Sequence, residues 1–158
     1  MLLTIHGFCE KIQEKGGEKV LPPVEVTEES VRELLRSLCI PVNLRGYEYL
    51  VRALRISSNN QKSTPIGCKD LYEMVKAELS LNISVKSVET SIREAVAKAL
   101  PTIPEDEFKK VFGASKAIIC RGKSNMPNAV FIHGSTQYLI ICKRRLKYEE
   151  LNKLSENN

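Results

Sequence analysis

From Thr27 onward the apolar residues recur every three or four positions, and this period, punctuated by prolines and polar caps, constrains the fold more than any other feature of the chain. Thr27-Glu28-Glu29-Ser30 supplies an N-cap and acids for a first helical turn, and Val31, Leu34, Leu35 and Leu38 follow on one face. Pro41 disfavours helical backbone at Ile40, so this helix should stop there. A second helix is expected with Tyr47, Leu50, Val51 and Leu54 in line, fraying at Ser57-Ser58-Asn59-Asn60. A third runs from about Cys68 or Asp70 to Leu79 through Leu71 and Val75. The fourth opens with Ser84 as cap, carries Val85, Val88, Ile92, Val96 and Ala99 as its apolar stripe, and ends at Leu100 before Pro101. Thr102-Ile103-Pro104-Glu105 has capping-box spacing, which predicts a short fifth helix over Glu105–Phe112 closed by Gly113.

Beyond Gly113 local propensity conflicts with this pattern. Asn125-Met-Pro127 looks like a helix start, yet Ala117–Cys120, Val130–His133 and Tyr138–Ile141 are β-prone, Gly134-Ser135 reads as a turn, and propensity alone allows a hairpin. At the other end, residues 1–26 mix Gly16-Gly17, Pro22-Pro23 and charges without a period, which fits a tail or linker with a short ordered start at Leu2–Phe8. The expected organisation is a tail over 1–26, one domain over 27–145 and a C-terminal tail over 146–158.

Composition matters mainly for what it excludes. No apolar run approaches the ~18 residues needed to span a bilayer. The opening MLLTIHGF has no basic stretch ahead of it and is cut short by Glu10 and Lys11, so a cytoplasmic protein without a signal peptide is expected. Five cysteines (Cys9, Cys39, Cys68, Cys120, Cys142) form no Cys-x-x-Cys and have no histidine at ligand spacing, so no disulfide framework, metal site or cofactor is indicated; they read as reduced, mostly small core residues. Charge is informative once divided. Residues 1–83 carry 11 basic and 11 acidic side chains, whereas 84–158 carry 13 and 8, so the whole net charge of +5 lies in the second part. Between Lys109 and Tyr148 there are nine basic residues and no acid. A polyanion partner fits this tract, and a solvated basic face is the competing reading.

The third and fourth helices, joined by about four residues, have helix-turn-helix dimensions. Opposite the apolar stripe of the fourth lie Lys86, Ser87, Thr90, Arg93 and Ala97. Small and polar residues with an arginine suit a helix lying in a major groove, where bulky or acidic groups clash with bases or repel phosphates. A solvent-facing helix in a bundle explains the same pattern.

The stretch Cys39-Ile-Pro-Val-Asn-Leu-Arg-Gly-Tyr-Glu-Tyr-Leu-Val-Arg-Ala53 tips the balance. It resembles the first-to-second helix junction in the C-terminal effector domain of the sporulation master response regulators, the stage zero sporulation protein A family. Asp70-Leu-Tyr-Glu-Met-Val75 is similar to that family's first helix-turn-helix element, Val88-Glu-Thr-Ser-Ile-Arg-Glu-Ala-Val96 to its recognition helix, and Phe108-x-x-Val-Phe-Gly113 to its fifth helix. The resemblance covers Thr27 to about Lys143. It implies an all-α effector domain of about six helices with a central helix-turn-helix, and a sixth helix over about Pro127–Lys143 against local propensity. It also implies a bacterial, sequence-specific transcriptional regulator of sporulation that binds double-stranded DNA and is not an enzyme. Homodimeric or tandem binding on DNA and contact with RNA polymerase are the implied modes of action. The candidate base-contacting residues are Ser84, Lys86, Ser87, Glu89, Thr90 and Arg93; the candidate phosphate contacts are Lys116, Arg121, Lys123 and the expected helix start at Ser124 and Asn125.

Departures are equally specific. The turn between the two elements is about two residues longer, Thr90 stands where the family has a base-contacting arginine, and Ser87 replaces another; Glu89 and Arg93 match. The family's DNA target is therefore not carried over. The residues before Thr27 are too few for a receiver domain, and a chain without one is expected. Independently of the family, Pro41 fixes a turn, Gly46 permits close approach, and Tyr47 and Tyr49 bring large buried area, so Pro41–Tyr49 reads as a stiff joint. Two other functions compete: a modulator that does not bind DNA and pairs with a full-length regulator, and an enzyme using Cys120 or Cys9 with His6 or His133, for which no motif exists.

Overall fold

The computed structural model describes residues 25–157. The ordered start expected at Leu2–Phe8, Cys9, His6 and nearly all of the expected N-terminal tail lie outside them. Among the described residues there are seven α-helices and no strand. They are α1 (Glu28–Ser37), α2 (Arg45–Ser58), α3 (Cys68–Glu78), α4 (Val85–Ala99), α5 (Glu105–Phe112), α6 (Lys116–Ile119) and α7 (Asn128–Glu156), with a 3-10 turn at Leu100–Thr102 after α4.

Local chemistry sets most boundaries. The Thr27 hydroxyl accepts from the Ser30 amide at 3.2 Å, capping α1. The other end of α1 is closed by backbone bonds, Ile40 N–H to Leu35 C=O and Cys39 N–H to Arg36 C=O, both at 3.0 Å, with Cys39 left-handed at φ 55°. Ser80, at φ 50°, closes α3 in the same way through Leu81 N–H to Lys76 C=O at 2.9 Å. These are Schellman motifs built without glycine. Gly113, at φ 79°, closes α5.

α2 is the central post, packed against α1, α3, α4 and α7. Its Leu50, Val51, Ala53 and Leu54 are fully buried. Burying a side chain of valine or leucine size contributes ~1.5–3 kcal/mol, so this face organises the domain. The end of α2 does not fray: the Asn59 side chain accepts from Val26 N–H at 2.7 Å and donates to Val26 C=O at 2.8 Å, tying down the segment before α1. Charged pairs bind the first three helices. Arg32 reaches Glu28 of its own helix at 2.7 Å and Glu48 of α2 at 2.9 Å, and Arg52 reaches Glu28 at 2.9 Å and Glu78 of α3 at 3.5 Å. The hydrogen bond from Arg32 holds the Glu28 carboxyl below its ordinary range.

The expected joint is confirmed in a particular form. Gly46 is buried at the start of α2, and a Cβ there would lie 2.1 Å from the Ser91 carbonyl oxygen and 2.9 Å from Ala95 Cβ of α4. Only a residue without a side chain lets α2 lie this close to α4. Tyr47 and Tyr49 are buried beside it, with the Arg32 guanidinium 5.6 Å from the Tyr47 ring centre.

Several local signals give way, the strand propensity in favour of the helix that the family resemblance implies. Thr102 makes no capping box: its hydroxyl donates to the Ala99 carbonyl at 2.7 Å, and α5 starts after Pro104 without a side-chain cap. The β-prone segments are helical. Phe131, Ile132, Ser135, Thr136 and Leu139 face the core from one side of α7, and burial at helical spacing overrides strand propensity. Gly134, read as a turn, sits inside α7 where a Cβ would be 2.6 Å from the Phe112 ring. α7 is also longer than the expected 127–143, running through the segment expected as a tail to Glu156.

Candidate nucleic-acid interface

α4 has one face wholly committed to the core: Val88, Ile92, Ala95, Val96 and Ala99 have no solvent exposure. Its other face therefore projects outward, and α3 packs against it. Ser84 is its N-cap, accepting from the Ser87 amide at 3.1 Å, with the two hydroxyls 2.9 Å apart. These two candidate base contacts thus already serve the helix start.

The charged candidates form one unit. Glu89 accepts from Lys86 at 3.1 Å and from Arg93, and these two bonds hold its carboxyl below its ordinary range, Lys86 first. The Lys86 side chain is 70% exposed and that of Arg93 47%, so both cations remain reachable. Exposed pairs of this kind add little to stability. Thr90 lies half-buried on the same helix.

The candidate phosphate contacts divide. Arg121, Lys123 and Ser124 are exposed in the loop between α6 and α7, and Arg121 is left-handed at φ 52° beside Gly122 at φ 72°. Lys116 is differently engaged: its ammonium donates to the Ile103 carbonyl and its amide to a Glu105 carboxylate oxygen at 3.0 Å, so it staples α6 to the turn before α5. Ser124 and Asn125 are not a helix start. α7 begins at Asn128, and the Asn125 side chain instead accepts from the Met126 amide at 2.8 Å.

Sequence reading missed Asn128. Its buried amide donates to the backbone carbonyl of Glu89 at 3.0 Å and to the Tyr72 hydroxyl at 3.1 Å, so one side chain ties the start of α7 to α4 and α3. Burial pushes the Tyr72 hydroxyl up to about 12, which keeps it a neutral partner. Asn128 thereby fixes the start of α7, which follows directly on the loop carrying Arg121 and Lys123, against α4. A lone asparagine after a proline carries no periodic signal, and only the fold brings it to Glu89.

A family model described as sporulation initiation factor Spo0A C terminal matches residues 31–139. The chain belongs to the Spo0A C-terminal family. That family is one of DNA-binding regulatory domains and not of enzymes. Its matched span begins inside α1 and ends at Leu139, the last buried residue of α7, so it coincides with the packed part of the molecule. No solved structure matches the chain.

The thiol chemistry weighed from the sequence finds no footing at Cys120. Burial pushes its thiol up, away from the thiolate a nucleophile needs. Of the described cysteines only Cys120 is buried; Cys39 is exposed and Cys68 and Cys142 are half-buried, so the reading of them as mostly core residues does not hold. Among the described residues no group of three His, Cys, Asp or Glu is placed to hold a metal ion, and no helix is long and apolar enough to cross a membrane.

Proposed function

We propose that the protein is a sequence-specific DNA-binding transcriptional regulator of the Spo0A kind, with α3 and α4 as a helix-turn-helix and α4 as the reading helix. The observation that carries this is the two-sidedness of α4 in a member of that family: five core residues without exposure on one side, and Lys86, Glu89 and Arg93 presented together on the other. Arg93 is the principal base-reading group, since a guanidinium can pair bidentately with guanine. Lys86, Glu89 and Thr90 flank it; Ser84 and Ser87 contribute through the helix start. Arg121 and Lys123, with Ser124 and Asn125 behind them, lie against phosphates and set register. Lys116, whose ammonium is engaged with the Ile103 carbonyl, acts by holding α6 in place rather than at a phosphate. A bacterial cytoplasm, two copies on DNA as a homodimer or in tandem, and contact with RNA polymerase complete this reading.

The test is selection of bound duplexes from a random pool, followed by affinity measurement across salt. Enrichment of a defined motif and a steep fall of affinity with salt are expected, each neutralised phosphate adding ~0.9 to the slope. Failure to enrich any motif would falsify sequence-specific reading.

The modulator that pairs with a full-length regulator is favoured by one observation: Glu89 engages both cations of the outer face. A gel shift with genomic DNA separates the two, since a modulator leaves every fragment unshifted.

A further inference from the structure

The last buried residue of α7 is Leu139, yet the helix continues to Glu156. From Arg144 onward it is about 20 Å of helix at 1.5 Å per residue, and isolated helices of ~12 residues are marginal in water. This end also carries Leu146, Tyr148, Leu151 and Leu154, each between 45% and 65% exposed. Tyr148, Leu151 and Leu154 recur every three residues, so they wind along the helix as one stripe. An apolar stripe on a helix with no support of its own calls for a partner.

The charges indicate which partner. Lys143, Arg144, Arg145 and Lys147 come first, without an acid among them; Glu149, Glu150 and Glu156 follow, with Lys153 as the one basic residue between them. Within the helix only Arg145 and Glu149 approach each other, at 3.8 Å. Three acids beside the stripe repel phosphates and anionic lipid. A copy of the same segment laid antiparallel sets basic residues 143–147 against acidic residues 149–156 in both directions at once, as a two-fold interface requires. Parallel pairing would set like against like.

We propose that the projecting end of α7 is a self-association surface, pairing antiparallel with the same segment of a second copy of this chain. Its length keeps the interface below the ~1,200 Å² of standard complexes, so the dimer is weak and depends on concentration.

Sedimentation equilibrium of the full chain without DNA, from about 10 µM to about 1 mM, tests this. A monomer–dimer equilibrium is expected in that range. The double substitution Leu151→Asp with Leu154→Asp should raise the dissociation constant at least about tenfold while leaving the melting temperature unchanged, because both side chains are exposed. Arg144→Glu with Arg145→Glu, and separately Glu149→Lys with Glu150→Lys, should each weaken self-association, and mixing the two charge variants should restore dimers to the parental level. A monomer throughout, a dimer indifferent to the leucine substitutions, or a mixture that fails to associate overturns the proposal. A monomer whose leucine variant melts lower identifies an intramolecular occupant, residues 1–24, and overturns it too. No DNA is present, so the outcome leaves the reading of α4 untouched.

Discussion

α4 and α7 are the two helices on whose outer faces the proposed DNA reading and self-association rest, and they are held in opposite ways. α4 is held along its whole length: its buried stripe runs from Val88 to Ala99, and α2 approaches closely enough at Gly46 to touch its backbone. α7 is held only in its first part, by Phe131, Ile132, Ser135, Thr136 and Leu139, and its remaining turns have no buried residue. The reading role proposed for α4 requires its side chains to keep one fixed register, and a helix backed by core along its other side provides that. A helix end that meets a second molecule needs no such support until the partner arrives.

The comparison breaks most visibly at Gly46. Gly46→Val forces a side chain into the Ser91 carbonyl, and overpacking against backbone costs about 3 kcal/mol, enough to lower the melting temperature by roughly 10 °C. Because the atom that must move belongs to α4, DNA affinity should fall further than the unfolded fraction accounts for. A loss strictly proportional to unfolding, read by calorimetry beside a binding titration, would mean that the joint does not set the position of α4.

Asn128→Ala comes next. Removing the amide that bonds Glu89 C=O and the Tyr72 hydroxyl should cost about 1–3 kcal/mol in chemical denaturation. In the folded fraction it should lower affinity for the selected site more than for random DNA, since it frees the α4 backbone at Glu89 from the start of α7. Equal losses on both DNAs would reduce Asn128 to a purely structural role.

Lys123→Ala should have the smallest effect: unchanged stability, slightly weaker binding to all duplexes, and a salt slope reduced by about one. Lys116→Ala should do the reverse, lowering stability with little change in slope, because its ammonium is spent on the Ile103 carbonyl. Were both variants to shift the slope alike, Lys116 would belong with the phosphate contacts after all.

What the sequence reveals tracks how local the cause is. The first five helices are legible because period and capping residues act within a few positions: Thr27 and Ser84 cap as read, and Gly113 closes α5 as read. The left-handed Cys39 and Ser80 are not legible, because neither is glycine and the strain is accepted to bury Ile40 and shelter Leu81. Thr102 misleads because capping-box spacing does not say which backbone atom the hydroxyl will meet. In α7 the local propensity of Val130–Ile141 points to strand, and long-range burial reverses it; the helix start read at Asn125-Met-Pro127 and the resemblance to the sporulation regulators pointed to the helix. Of the candidate site, the outer face of α4 follows from its period. Asn128 and the engagement of Lys116 depend on contacts 39 and 13 residues away in the chain, which no local pattern encodes.

The most direct measurement is the affinity of Arg93→Ala for the selected duplex and for random DNA, with the melting temperature as control. Arg93 is exposed and paired only with Glu89 in its own helix, so the fold should be unaffected. Affinity for the selected site should fall by about 1–3 kcal/mol more than affinity for random DNA, with preference relaxed at one base pair. If Arg93→Ala binds its selected site as tightly as the parent does, α4 is not the reading helix.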